Sequence, residues 1–353
     1  MTPVDDGINR RAPDLNLMHF CKRFAYGEEI ASRQWRPAEV WIVRTFVVFC
    51  LCSMVPVGVS GQPRDPQFME DDSPEAWAMK YFTSISLLTG YGPLEKRESG
   101  WIDLGVEILD IPYLTEDYRR VGFGGFKEEN LNNAPVMFRP RVTYYFSPKL
   151  AVTASYLPPI EVWNIRPSVL SGAVEWRILE RGNWSLGARV YGQTGNVVGP
   201  FSCSEENVGA GEDFERNPFG CSIVAEDRVS MDYFGAELSI ARRIDGLGGI
   251  TPFFSAGLNS LDMRTEINSS LFFEPHNRVQ IARDRSFSIA GGVRIPIRER
   301  ISLGLQIFYS PLYVLRPGKD HPENDSLVHA RVQFTYHFGK FWGRKKDSGS
   351  VEK

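Results

Sequence analysis

The residues from Leu327 to Phe338 alternate strictly between apolar and polar side chains. The apolar row is Val328, Ala330, Val332, Phe334, Tyr336 and Phe338, and the polar row is His329, Arg331, Gln333, Thr335 and His337. Because successive side chains of a strand point to opposite faces, this alternation predicts a strand with one apolar and one hydrated face. Its length of about ten residues and its aromatic end are typical of a strand that crosses a membrane obliquely.

A period of two residues recurs through most of the chain, and no sustained helical period accompanies it, so the pattern predicts an all-β fold. About twelve strands are predicted, and the weak one over 118–126 is needed to make the number even, as a closed up-and-down barrel requires. The predicted strands cover residues 77–89, 101–109, 118–126, 136–146, 150–156, 170–179, 184–191, 231–241, 250–258, 286–295, 301–309 and 327–338.

The connections between these strands alternate in length. Short ones fall at 147–149, 180–183, 242–249 and 296–300, and long ones at 157–169, 192–230, 259–285 and 310–326. Transmembrane barrels have this asymmetry, with short periplasmic turns and long outer loops. We therefore predict a closed antiparallel transmembrane β-barrel, with a soluble sandwich or soluble barrel as the alternative. Pro140 cannot donate a ladder hydrogen bond, which predicts a bulge or a rim position there.

The segment before the strands has the features of a secretory signal. Arg44 precedes an apolar stretch over 45–59, and small residues lead to a cleavage site after Gly61, although a helical anchor is the alternative. A charged extension of this kind rarely precedes a signal, so we expect translation to start near Val40. The predicted organisation is an unstructured extension over 1–44, a signal peptide over 45–61, a periplasmic lead-in over 62–76, a barrel over 77–338 and a basic tail over 339–353.

Two of the five cysteines, Cys203 and Cys221, remain in the predicted exported part of the chain outside the signal. Because an exported protein with an even pair of cysteines in one loop usually oxidises them, we predict a disulfide between them, with two free thiols as the alternative.

The region 77–338 resembles the Gram-negative outer-membrane β-barrel proteins. The signal peptide, the strands of about ten residues and the final strand LVHARVQFTYHF carry the resemblance. It implies a location in the bacterial outer membrane, contact with outer-membrane lipids, and recognition of the aromatic C-terminal strand by the barrel-insertion machinery. A tail follows Phe338, whereas the aromatic residue is commonly the last one in that superfamily. The resemblance is architectural and indicates no subfamily with a known substrate.

If the apolar rows face lipid, the polar rows line the lumen. The predicted lumen-lining residues are Asp103, Glu107, Arg120, Arg139, Arg141, Glu175, Arg177, Arg189, Glu237, Arg294, His329, Arg331 and Gln333. Arginine exceeds the acidic residues in this row, and rings of arginine favour anions in a pore. The row therefore predicts a passive pore for small anionic solutes, or a surface scaffold. Charges that pair with one another and fill the bore are an equal alternative.

Other functions have weaker support. A lipid-modifying hydrolase in the barrel wall would need a His-x-Ser spacing that is missing here, and an adhesion or binding role would depend on loop 192–230. No catalytic residue, cofactor or metal site is predicted, since no Cys/His set has metal-ligand spacing. A net charge of -3 gives no support to nucleic-acid binding.

Overall fold

The computed structural model describes residues 65–340, so the predictions for the extension 1–44, for the signal peptide 45–61 and for most of the tail lie outside the described residues. Ten antiparallel strands each pair with the next, and the last pairs with the first, which closes a barrel. The strands are β1 Trp101–Asp110, β2 Val136–Ser147, β3 Leu150–Leu157, β4 Arg166–Arg181, β5 Trp184–Gly199, β6 Asp227–Arg242, β7 Thr251–Leu271, β8 Glu274–Arg298, β9 Ile301–Ser310 and β10 Leu327–Lys340.

The outer face of the barrel carries an apolar belt. Leu238 on β6 is 60% exposed and Leu258 on β7 is 69% exposed, whereas Arg331 on the inner face of β10 is 1% exposed. Over the part of the wall that carries the belt, the strands place their apolar row outside, as the alternation predicted, and the inner face is polar around Arg331. A closed ladder pairs the backbone groups that face the membrane, and an apolar outer surface matches the lipid. No helix among the described residues is long and apolar enough to cross a membrane.

The two ends of the barrel differ in their connections. One end, the long-loop end, carries the connections 111–135, 158–165, 200–226 and 311–326, together with the tip at 272–273. The other, the short-turn end, carries the connections 148–149, 182–183, 243–250 and 299–300. Small elements decorate the long-loop end: helices α2 Glu116–Arg119 and α3 Glu205–Gly209, and the short strands Gln67–Phe68, Arg120–Gly122, Lys127–Glu128, Cys221–Ile223, Tyr313–Val314 and Glu323–Asn324. A 3₁₀ turn, Asp245–Leu247, lies at the short-turn end.

The long loop predicted over 259–285 is wrong. Strands β7 and β8 continue through it as a hairpin and meet at Phe272 and Phe273, whose φ angles are 51° and 67°. Two-residue hairpin turns need positive φ at both positions, and Asn-Gly is the usual sequence for them. A Phe-Phe turn gives no such signal, so the hairpin was not evident from the sequence.

Two of the predicted strands are also wrong, and the barrel has ten strands rather than twelve. Residues 77–89 belong largely to helix α1, Pro74–Ile85, and residues 118–126 form part of α2 and a small hairpin. The helix begins where Ser73 accepts a hydrogen bond from the Ala76 amide and Pro74 occupies the first turn, which are common helix-start features. The lead-in predicted over 62–76 is partly ordered, because Gln67–Phe68 pairs with β8.

Candidate functional site

The chain fills the half of its own lumen that is nearer the short-turn end. We call this the lower half, and the half nearer the long-loop end the upper half. Helix α1 packs on β6, β7, β8 and β10, and residues 86–94 continue below it as a buried, irregular segment. The segment enters from the long-loop end, where the Trp77 indole donates to the Asp325 carbonyl, and leaves at the short-turn end, where the Gly100 amide donates to the Tyr145 carbonyl. We call residues 74–94 the plug.

Six of the seven predicted lumen arginines donate to backbone carbonyls of the plug. Arg331 donates to the Leu87 carbonyl at 2.8 Å and the Ile85 carbonyl at 3.2 Å, and Arg139 donates to the Ser86 carbonyl at 2.5 Å. The other four pairs, each given as arginine and carbonyl, are Arg141 with Thr89, Arg189 with Leu88, Arg294 with Pro93 and Arg177 with Leu94. Cations at the C-terminal end of α1 satisfy its last carbonyls and its dipole.

The lumen carboxylates complete this network. Glu107 accepts from Arg139 at 2.6 Å and from Arg141 at 2.5 Å, and all three side chains are buried. Glu175 pairs with Arg189 at 2.6 Å, and Glu237 accepts from the Gly90 amide at 3.2 Å. Buried charges are tolerated only when paired in this way, and removing one partner is strongly destabilising. The network therefore fixes the plug in place.

The remaining predicted lumen residues also lie inside, with one exception. Asp103 contacts His337 at 2.9 Å, His329 is buried beside Arg331, and Gln333 is half-buried and donates to Thr335. Arg120 is the exception: it lies on the exposed hairpin between β1 and β2 and pairs with Glu116. The prediction that it lines the lumen is wrong, because residues 118–126 are not a barrel strand.

An apolar cavity of about 630 Å³ occupies the upper half of the lumen, between the plug and the loops. Sites for drug-sized ligands commonly enclose roughly 300–1,000 Å³ and are lined mainly by apolar side chains. The apolar lining comes from the plug and from the inner faces of β2 to β6. It includes Met79, Phe82, Ile85, Met137, Leu157, Val169, Val197, Val229 and Met231.

The barrel wall has a gap beside this cavity. The ladder between β2 and β3 ends at the pair Arg141 and Ser155, so residues 136–140 of β2 have no partner on β3. Pro140 lies at the end of the ladder and has no N–H group to leave unpaired there. The pairing of Pro140 with β1 shows no register shift, so the predicted bulge is absent. Pro140 lies instead at the rim of the gap.

The gap connects the cavity to the outer surface of the barrel. Met137 points inward and Phe138 points outward, yet both line the cavity. Apolar side chains of the neighbouring loop, Ile160 and Trp163, are exposed at the same place. An apolar molecule dissolved in the membrane thus meets a continuous apolar surface from the belt into the cavity.

A roof of three loops closes the cavity at the long-loop end. Phe123 stacks on Phe219 at 5.6 Å between centroids and contacts the His276 ring at 5.2 Å, which joins the β1–β2 loop, the 200–226 loop and the β7–β8 hairpin. The predicted disulfide between Cys203 and Cys221 is confirmed and lies within this roof. Among residues 65–340, no cluster of His, Cys, Asp or Glu has an arrangement that could hold a metal ion.

Polar side chains are concentrated where the roof meets the cavity. Lys127 donates to a Glu129 carboxylate oxygen at 2.5 Å and to the Ser202 carbonyl, and Asp227 accepts from the Ser202 amide at 2.6 Å. Burial raises the pKa of Glu129 to about 8, although the neighbouring Lys127 opposes the shift. The cavity therefore has an apolar body and one polar end.

This cavity was not predicted from the sequence. Its residues come from the plug, from seven barrel strands and from loops that only the closed barrel brings together, and apolar residues on an inner face break the two-residue pattern. The sequence does contain a pattern that indicates helix α1. Ser73-Pro74 is typical of a helix start, and Trp77, Tyr81 and Ile85 follow at the four-residue spacing of one apolar helix face.

The chain was also compared with known proteins. No protein-family model matches the chain, and no curated protein matches its sequence. Solved structures that resemble it include the outer-membrane protease OmpT from Escherichia coli, with 10% identity over 68% of this chain and 94% of that one, and a TM-score of 0.33. The translocator domain of the autotransporter NalP from Neisseria meningitidis has 9% identity, coverages of 69% and 91%, and a TM-score of 0.36. Neisserial surface protein A has 8% identity, coverages of 68% and 98%, and a TM-score of 0.26.

The closed antiparallel wall and its apolar belt are those of a β-barrel that spans a membrane, and the location in the bacterial outer membrane stays a prediction from the sequence.

Proposed function

We propose that this barrel binds a small apolar molecule in the cavity above the plug and exchanges it with the membrane through the gap between β2 and β3. The observation that carries the proposal is that inward-facing Met137 and outward-facing Phe138 line one cavity. A molecule that partitions into lipid could enter there without crossing the polar network of the lower lumen. With the long loops outside the cell, the gap lies toward the outer surface.

The apolar lining provides enough binding energy for a measurable affinity. Burial of apolar surface contributes roughly 25 cal/mol per Å², so a ligand that buries about 300 Å² would gain on the order of 7 kcal/mol before the entropy of association is subtracted. A gain of about 7 kcal/mol sets a lower limit on the order of 10 µM for the dissociation constant, and the entropy of association weakens binding from there. Fluorescent apolar probes titrated from micromolar concentration upward are therefore suitable reporters.

An open anion pore is less consistent with the geometry. The arginines that would line such a pore donate to plug carbonyls and to buried carboxylates, and the polar cavity beside them encloses about 70 Å³. Conduction would require the plug to leave the lumen. The surface-scaffold, adhesion and wall-hydrolase roles have no specific observation in their favour. Lipids around the belt and the insertion machinery at β10 are proposed partners.

The test uses the barrel in lipid nanodiscs with the probe 1-N-phenylnaphthylamine, whose fluorescence rises in apolar surroundings. Met231→Trp fills the cavity from β6, and Leu238→Trp, on the lipid-facing side of the same strand, is the matched control. We expect saturable probe binding to the wild type and to Leu238→Trp, and loss of at least tenfold in affinity for Met231→Trp. Equal binding by all three proteins would refute the proposal.

A further inference from the structure

Lys127 is a buried cation at the polar end of the apolar cavity. Its side chain is 4% exposed, and the described residues provide two oxygen acceptors, on Glu129 and Ser202, for the three hydrogens of its ammonium group. The Phe219 ring lies 5.9 Å from its nitrogen and adds a face of negative potential. The ammonium is thus held at the cavity wall with one donor direction open to a further acceptor.

Ser202 supplies a second and independent observation at the same place. Its side chain is 8% exposed and lines the cavity, yet among the described residues its hydroxyl has no hydrogen-bond partner. Buried hydroxyl groups in native proteins nearly always have a partner, because an unpaired one loses its hydrogen bonds to water without replacement. The Ser202 oxygen itself is buried, so a ligand head group at this wall becomes its partner when the side chain turns toward the cavity.

We infer that the ligand is an amphiphile with one carboxylate, whose head group lies at Lys127 and Ser202 and whose aliphatic body lies among Met79, Met137 and Met231. The inference rests on the proposed function, since it names the chemical class that the same cavity binds. The two donors are close to each other, since Lys127 donates to the carbonyl of Ser202, the residue whose hydroxyl has no partner among the described residues. A carboxylate has two oxygens and so can accept from both donors.

The charges around this position favour a single negative charge. Burial, with smaller contributions from the charges of Asp227 and Glu75, raises the pKa of Glu129 to about 8, so at neutral pH Glu129 compensates the charge of Lys127 only weakly. Asp227 faces the same end, but its two oxygens accept from the backbone amides of Ser202 and Asn268. Only one cation is buried here, so a phosphate monoester, with nearly two negative charges, would be matched less well.

The experiment measures binding of dodecanoate, 1-dodecanol and dodecyl phosphate to the barrel in nanodiscs, by displacement of the fluorescent probe. Lys127→Met keeps the aliphatic stem and removes the charge, and Lys149→Met, at an exposed short-turn position, is the matched control. We expect the wild type and the control to bind dodecanoate at least tenfold more tightly than the alcohol and the phosphate. Lys127→Met should lose that preference while its affinity for the alcohol is unchanged.

Other outcomes separate the two proposals. If Lys127→Met lowers the affinity for dodecanoate and for the alcohol equally, Lys127 acts only through the roof structure and the head-group assignment is wrong. Tighter binding of the phosphate also overturns it. If Lys127→Met does not fold, Ser202→Ala decides: a fall of about threefold for dodecanoate alone supports the assignment, and wild-type values contradict it. Failure of Met231→Trp to reduce binding of any ligand would instead remove the proposed function.

Discussion

The two halves of the lumen are built from opposite chemistry. In the lower half, six arginines donate to the carbonyls of the plug, and buried carboxylates pair with several of these arginines. In the upper half, the inner faces of the same strands carry Leu157, Val169 and Met231, and a cavity remains. The comparison shows that one barrel can use polar pairing to close its bore and apolar side chains to keep a space open.

The wall differs between the two halves in the same sense. Around the lower half every strand pairs with both neighbours, whereas beside the cavity the β2–β3 ladder is absent over 136–140. Backbone groups facing lipid must be paired, and unpaired ones are tolerated where they line a cavity. The gap therefore lies beside the apolar upper half of the lumen. It ends at Pro140, a residue that has no N–H group to leave unpaired.

Removing a buried carboxylate from the lower half of the lumen should have the largest effect on the free energy of unfolding. Glu107→Gln leaves Arg139 and Arg141 buried without their shared carboxylate, and we expect a loss of about 3–5 kcal/mol in the free energy of unfolding. Denaturant titration of the barrel in lipid vesicles, followed by the heat-modifiable shift on a gel, measures the change. Glu226→Gln, which breaks the exposed pair with Arg166, is the control and should change stability by less than about 1 kcal/mol.

A charge at the gap should affect exchange through the apolar half. Phe138→Arg would place a hydrated charge on the apolar path through the gap, so an apolar ligand should associate about tenfold more slowly. Stopped-flow mixing with the fluorescent probe gives the rate. Phe254→Arg, elsewhere in the belt, is the matched control. Equal slowing by both variants would show that the ligand does not use the gap.

Close packing of the plug can be tested at one glycine. A Cβ atom at Gly304 would lie 2.6 Å from the Tyr91 ring, so Gly304→Ala should displace the plug side chain and destabilise the barrel by about 1–3 kcal/mol. At Gly105 the nearest atom to such a Cβ is 3.5 Å away, and Gly105→Ala is the control. Similar melting temperatures for the two variants would argue against a tightly packed plug.

The polar end of the cavity can be tested by the pH dependence of stability. The pKa of Glu129 is raised from 4.5 to about 8, so between these values the folded chain holds a proton that the unfolded chain has released. The free energy of unfolding should therefore fall as pH rises through this range, and fall less steeply in Glu129→Gln. Denaturant titrations at five pH values measure both slopes, and parallel slopes would contradict the assignment.

The strands, and the side of the wall that each side chain faces, were largely predictable from the sequence. Adjacent residues of a barrel strand face the lipid and the lumen in turn, so their polarity alternates. The outward positions of Trp176 and Leu238 and the inward positions of Glu175 and Arg331 follow from that alternation alone. Helix α1 was not predicted because a helix that is buried on most sides has no clear polar face. The composition of residues 77–89 is also compatible with a strand.

The role of the inner arginines was not predictable from their own strands. The alternation places Arg139 and Arg141 in the lumen, but whether they face water or a plug depends on residues 84–94, which the chain inserts from elsewhere. The ends of β7 and β8 were underestimated for a related reason, since beyond the membrane the outer face carries charges such as Asp262 and Arg283 and the alternation in hydropathy fades.

The central claim is that the lumen is closed below and open to the membrane above. Its most direct test is a crystal structure of the barrel soaked with a brominated apolar molecule, located by the anomalous signal of bromine. We expect one bromine peak between Met79, Met137 and Met231, with the plug in place. A peak in the lower bore beside Arg331, or a displaced plug, would contradict it.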